Sequence, residues 1–231
     1  MEARSMKSEV ARLAVVVVVS AVLSGGVATV GAQAPADCRA IDDFSKAAIG
    51  EFPSDWKVRK DAGKEVYLVK EDGGKRFLHA HAKNLGIQAA KEYEWDPNTY
   101  PVLAWSWRPV EFPRGADEKD GKNDSALAVY MLVPYSRIRG PKAVKYIWSE
   151  KVPVGTRLES NGGLTQVRVL ESGTDRREQW VDERVNVRDD YMKSFDEKEV
   201  PKAAGIAVLT DSDDTKSSAQ GDYANFRVCK E

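Results

Sequence analysis

Val66-Tyr-Leu-Val-Lys70, Glu71-Asp-Gly-Gly74 and Arg76-Phe-Leu-His-Ala-His-Ala82 follow one another almost without interruption, and their reading decides the fold class. Val66, Leu68 and Lys70 alternate with Tyr67 and Val69, two acids and two glycines follow, and an apolar stretch then resumes. Period-two patterning on both sides of a Gly-Gly turn predicts a β-hairpin. The same period recurs outward along the chain. Pro101 opens a strand from Val102 to Val110, with Leu103, Trp105 and Trp107 on one face and Ala104, Ser106 and Arg108 on the other. Ser125 to Val133 is apolar with little interruption, which predicts a strand covered on both sides. Further strands are expected at 143–149, 164–171, 205–210 and 223–228. Helical spacing is clearest between Glu178 and Phe195, where Trp180, Val181, Val185, Val187, Tyr191 and Phe195 recur. Many short strands with one or two short helices predict a mostly β, single-domain antiparallel β-sandwich, jelly-roll-like in connectivity.

The 231 residues carry 35 Lys+Arg against 36 Asp+Glu, a net charge of −1. That balance leaves no basic footprint, so nucleic acid is not an expected partner. With 42% hydrophobic and 31% charged residues the chain is neither disordered nor fibrous. Arg4, Lys7 and Arg12 precede an apolar run from Leu13 to Leu23, and small residues follow up to Val30-Gly31-Ala32. These are the three parts of a cleavable signal peptide, expected over residues 1–32, with the folded domain over 33–231. A retained membrane anchor is the competing reading, but the Gly-rich second half makes a weak span. Export to the periplasm or beyond is the expected localisation, with no membrane span after cleavage. Cys38 and Cys229 both survive cleavage. In an oxidising compartment they are expected to join, which would make the first and last strands neighbours.

Three groups of residues could carry chemistry. His79 and His81 sit at i and i+2 of a strand and so share a face, but no third ligand of suitable spacing follows. Asp211 and Asp213, with Asp214 nearby, end an apolar strand. Hard oxygens on one loop suit a structural calcium, and a polar turn is the alternative. No other cofactor is expected. Asp117, Glu118 and Asp124 lie close behind the strand of Trp105, Trp107 and Arg108. Paired carboxylates beside aromatics are what glycosidases use, so these three are the alternative catalytic set. The Trp pair could be a sugar-stacking platform or core. Gly-x-Ser-x-Gly is absent, and no Gly-rich phosphate loop precedes a helix.

Several segments, taken in order, point further. They are Ile41-Asp-Asp-Phe44, Phe52-Pro-x-x-Trp56, Leu103-Ala-Trp-Ser-Trp-Arg108, Gly115-Ala-Asp-Glu118 with Asp124-Ser-Ala126, Tyr146-Ile-Trp-Ser149, Asn186-Val-Arg-Asp-Asp-Tyr191 and Gly205 through Thr215. Together they resemble the bacterial family catalogued as domain of unknown function 3047, from about Ile41 to Val228. The resemblance implies an exported, jelly-roll-like sandwich and brings no activity with it. It implies that Arg108, Asp117, Glu118, Asp124, Arg188, Asp190, Asp211 and Asp213 are either a shared site or ion pairs that pin loops.

The leading expectation is a ligand-binding module of the cell envelope, with a glycan as partner. Its expected ligand-binding residues are Trp105, Trp107, Arg108, Asp124, Trp148, Arg188 and Asp190. A carbohydrate-active hydrolase or lyase using Asp117, Glu118 or Asp124 is the second reading, and an envelope scaffold the third. No catalytic residue is assigned under the first, and the sequence leaves the oligomeric state open.

Overall fold

The computed structural model describes residues 37–231, so the expected signal peptide lies outside the described residues. In chain order come β1 (Cys38–Asp42), β2 (Trp56–Val58), a helical turn α1 (Gly63–Val66), β3 (Tyr67–Asp72), β4 (Lys75–Lys83), β5 (Ala89–Trp95) and β6 (Val102–Glu111). Then follow β7 (Leu127–Ser136), β8 (Gly140–Ser149), β9 (Arg157–Ser160), β10 (Thr165–Ser172), β11 (Val181–Asn186), α2 (Val187–Phe195), β12 (Ala203–Leu209) and β13 (Ser218–Cys229). They form a two-sheet β-sandwich. The first sheet runs β11-β6-β13-β4-β3, with β1 also on β13, and the second runs β2-β5-β12-β7-β8-β10-β9. Among the described residues no helix is long and apolar enough to cross a membrane.

The hairpin forms as expected, with Tyr67 opposite Ala80 and Asp72 opposite Lys75. Gly73 and Gly74 both take positive φ, 57° and 77°, which a two-residue turn matched to the strand twist requires. Two expectations need correction. The stretch Glu178–Phe195 is not one helix. Val181, Glu183 and Val185 alternate in β11 opposite Trp107, Trp105 and Leu103, and only then does α2 begin. Asn186 starts that helix by accepting from the Asp189 amide, and Asp196 ends it in the left-handed region. The sandwich is also not wholly antiparallel, because β10 runs parallel to β8. A parallel pair needs a crossover of a dozen or more residues. Residues 150–164 provide it, with β9 placed outside β10 as its antiparallel edge partner.

The core lies between the sheets. Trp105 and Trp107 pack edge to face at 5.3 Å, Trp107 meets Trp148 at 5.9 Å, and Trp105 meets Tyr146 at 5.7 Å. Rings of this kind bury roughly 150–250 Å² each, so this cluster is a large share of the apolar driving force. β7 is buried on both faces, as its unbroken apolar run predicts. Its outward residues Ala128 and Tyr130 join Ile147, Val169 and Ala207 in a second, smaller cluster on the far side of the second sheet. β13 is the spine of the first sheet: residues 218–223 pair with β4, and Phe226–Cys229 pair with β1. Cys38 stands opposite Cys229 in that register and the two are bonded, so the first and last strands are neighbours as expected.

Candidate functional site

The expected ligand-binding residues do not form one site. Trp105, Trp107 and Trp148 are at most 1% exposed, so none offers a ring face for stacking. Their share of the proposed platform is therefore corrected to core. The even spacing along β6 placed Trp105 and Trp107 on one face, and that face turns inward to meet Trp148 of β8. The Trp107 Nε1–H donates to Glu183 at 3.1 Å, and the Trp148 Nε1–H donates to the Gly173 carbonyl at 3.0 Å.

Arg108 lies on the opposite face of β6. Its Nε–H donates at 2.7 Å to Asp222, which is 1% exposed, and its guanidinium lies between Phe77 and Trp180, 5.2 and 4.8 Å from the ring centroids. The other Asp222 oxygen is 2.7 Å from His79 Nδ1. Arg108 is thus committed to an internal pair rather than presented to a ligand. His81 turns its Nε2 towards the Ser218 hydroxyl at 3.3 Å. Asp190 accepts from the Tyr146 hydroxyl at 2.9 Å and from Arg168 at 2.6 and 2.7 Å, so it ties α2 to the second sheet. Arg188 is half-exposed and touches its neighbour Asp189. Arg108, Asp190 and Asp124 belong to three separate networks.

The alternative catalytic set also needs correction. Glu118 is buried and accepts from the Ser125 and Ser149 hydroxyls at 3.2 and 2.7 Å. Asp124 is fully buried and accepts from the Asp214 and Thr215 amides and the Thr215 hydroxyl, at 3.2, 2.8 and 2.6 Å. Asp117 closes a turn with Lys122 and accepts from the Lys119 amide. These carboxylates hold loops together. They do not flank an open groove, as a pair of glycosidase acids must.

Asp124 does meet the two acids singled out beyond β12. Oxygens of Asp124, Asp211 and Asp213 lie within 4.8 Å of one another, and these are the residues that could ligate a hard cation. Gly86 makes room for them, since a Cβ there would stand 2.4 Å from an Asp211 oxygen and 2.6 Å from an Asp213 oxygen. Burial and a hydrogen bond shared with Asp213 push Asp211 up to about 8, against the pull of Lys145. An unfolded aspartate titrates near pH 3.9. Between about pH 4 and 8, therefore, the folded chain holds a proton that the unfolded chain has lost, and stability falls as pH rises through that window. Thermal melts in chelator should show this slope, and Asp211→Asn should remove most of it, since an amide replaces the protonated acid. An unchanged slope in the variant would exclude Asp211 as its source.

A groove lies on the outer face of the second sheet, with a volume of about 670 Å³. Its floor is Tyr130 and Leu132 of β7, Ala143 of β8 and Leu209 of β12. Arg59 and Lys60 stand on one wall just after β2, beside Gln88. Ser160, Asn161 and Thr165 form the other, at the reversal between β9 and β10. Both cations are exposed, and neither is paired with a carboxylate among the described residues. Lys145, directly opposite Tyr130 in the β7–β8 register, is buried with its ammonium 5.5 Å from the Tyr130 ring. Burial pulls this lysine down, but Tyr130 and Asp211 outweigh it and hold the group above its ordinary value. No pattern in the sequence marked this groove. Adjacent cations at 59–60 and an Asn-Gly-Gly turn at 161–163 were its faint traces.

A family model described as "Protein of unknown function (DUF3047)" matches residues 54–227. The chain belongs to this family. No curated protein matches it in sequence. Among solved structures it is similar to the family 11 carbohydrate-binding module of the cellulosomal cellulase Lic26A-Cel5E of Clostridium thermocellum. There the TM-score is 0.44 and the identity 10%, over 85% of this chain and 96% of that one. It is also similar to endoglucanase 3 of family GH12 from Trichoderma harzianum, with TM-score 0.41 and 11% identity over 86% and 99%. A third likeness is TmCBM61, solved with β-1,4-galactotriose, with TM-score 0.39 and 12% identity over 84% and 99%. Scores of this size say nothing about ligand or activity.

Proposed function

We propose that this protein is an exported, non-catalytic binding module that recognises an acidic glycan in the groove over its second sheet. One observation carries the reading. Among the described residues the groove is lined by two unpaired cations, two amides and three hydroxyls over an apolar floor, with no carboxylate. Amides and hydroxyls suit sugar hydroxyls, an apolar floor suits the C–H faces of the rings, and Arg59 with Lys60 suits a carboxylate on the sugar. The charged start and small-residue exit of the N-terminus support export to the periplasm or outside the cell, and the Cys38–Cys229 bridge is consistent with an oxidising compartment.

The test compares oligogalacturonate with its neutral galacto-oligosaccharide counterpart by titration calorimetry, because the two differ in the C6 carboxylate. The acidic ligand should bind, and the neutral one more weakly. The double reversal Arg59→Glu with Lys60→Glu should cut acidic binding roughly 10–30-fold, as expected for two exposed rim charges, without changing thermal stability. Equal affinity for both ligands would overturn the acidic preference. Absence of binding to either would overturn the glycan reading of this groove.

A further inference from the structure

The groove does not stop at Leu132 and Pro141. Both residues also line a second cavity of about 530 Å³, so the two hollows adjoin there, and the pair is taken together as a trough. The second hollow extends over Ala90 of β5 and Ala204 of β12 and ends against Pro134, Tyr135 and Arg137 where β7 leaves the sheet. Tyr135 is 52% exposed, which is unusual for so large an apolar side chain, and Lys142 and Arg139 flank its ring. Arg137 is exposed and, among the described residues, carries no ion pair. The other charged residues of the second hollow are ion-paired. Glu92 is paired with Lys57 at 2.5 Å, and Lys91 is held by Asp42 and Asp55.

Free cations therefore stand in both hollows, Arg59 and Lys60 in the first and Arg137 in the second. β7 runs from Tyr130 in the first hollow to Ser136 in the second, at most about 20 Å of extended chain, and Arg137 follows in the turn. A single acidic sugar would meet one hollow. A chain with a carboxylate on every ring would meet both, with its ring faces on the apolar floor between.

We infer that the trough takes a linear polyanionic glycan lengthwise, with Arg137 as the distal charge contact. This rests on the reading of the groove given above. It goes beyond that reading by assigning a second subsite and a polymer rather than a terminal sugar.

The test measures affinity of the protein for the dimer and the hexamer of galacturonate, with and without Arg137→Glu. Arg137 is exposed and, among the described residues, forms no ion pair that its replacement would break. The hexamer should bind at least about tenfold more tightly than the dimer, more than the few-fold statistical gain from extra registers. Arg137→Glu should remove most of that advantage and leave dimer binding unchanged. A statistical gain alone would survive the substitution. Dimer and hexamer of equal affinity, or a hexamer advantage that persists in Arg137→Glu, would overturn the second subsite while leaving the first intact. Failure of both ligands on the unmodified protein would instead overturn the groove reading, and the subsite with it.

Discussion

Replacing both cysteines, as Cys38→Ala with Cys229→Ala, should lower the free energy of unfolding by about 5 kcal/mol, the value the chain-entropy model gives for so long a loop. The bridge spans a sequence separation of 191, nearly the whole folded domain. The effect acts on the unfolded chain, which the bridge holds in a closed loop. The folded state should change little, since β1 keeps its register against Phe226–Cys229 of β13. A domain's total stability is about 5–15 kcal/mol, so the loss would leave this one marginal. Urea denaturation of the oxidised protein and the double variant measures the difference. A change below about 1 kcal/mol would mean that the oxidised unfolded chain is hardly restricted by its closure.

Asp222→Ala should cost about 3–5 kcal/mol, the usual consequence of removing one partner from a buried charged pair. The Asp222 carboxylate is 1% exposed and serves two groups at once, the Arg108 Nε–H and His79 Nδ1, both at 2.7 Å. Without it the guanidinium is left between Phe77 and Trp180 with Asp72, 4.0 Å away, as its nearest acid. Asp222→Asn should cost less, because an amide still supplies one acceptor. Urea denaturation of the two variants checks the ordering. If alanine costs no more than asparagine, the pair is solvated in practice and does not hold β4, β13 and β6 together.

Asp222 also shows what a sequence conceals. It is a lone acid in Gly221-Asp-Tyr-Ala224, and its partners are 143 and 114 residues away. Only the register of β13, with β4 on one side and β6 on the other, brings His79 and Arg108 to it. Arg108 was visible as a charged residue on the polar face of a strand, but its commitment to an internal pair was not. The three tryptophans make the same point. Alternation placed Trp105 and Trp107 on one face of β6, and it cannot say whether that face meets solvent or the other sheet.

Local composition misled where tertiary pairing overrode it. No element is expected at Ala89-Ala-Lys-Glu-Tyr-Glu-Trp95, yet β5 forms there, held between β2 and β12. The apolar spacing after Glu178 looked helical throughout, yet its first part is an edge strand against β6. Asp124 was grouped with Asp117 and Glu118 because it is near them in the chain, whereas it meets Asp211 and Asp213 in space.

The sequence by itself determined the β class, the hairpin at Val66–Ala82, the buried β7, the pairing of the two cysteines and the family. Each of these rests on a period, a turn or a count that is local, or on an order of motifs that survives without coordinates. Tertiary structure alone decided which face of each strand is core, which acids meet, and where the outer surface sinks into a trough. Those features join residues from the segment after β2 and from β7, β8, β10 and β12 across tens of residues. They exist because strand register and sheet order set the partners, and neither is written in any one segment.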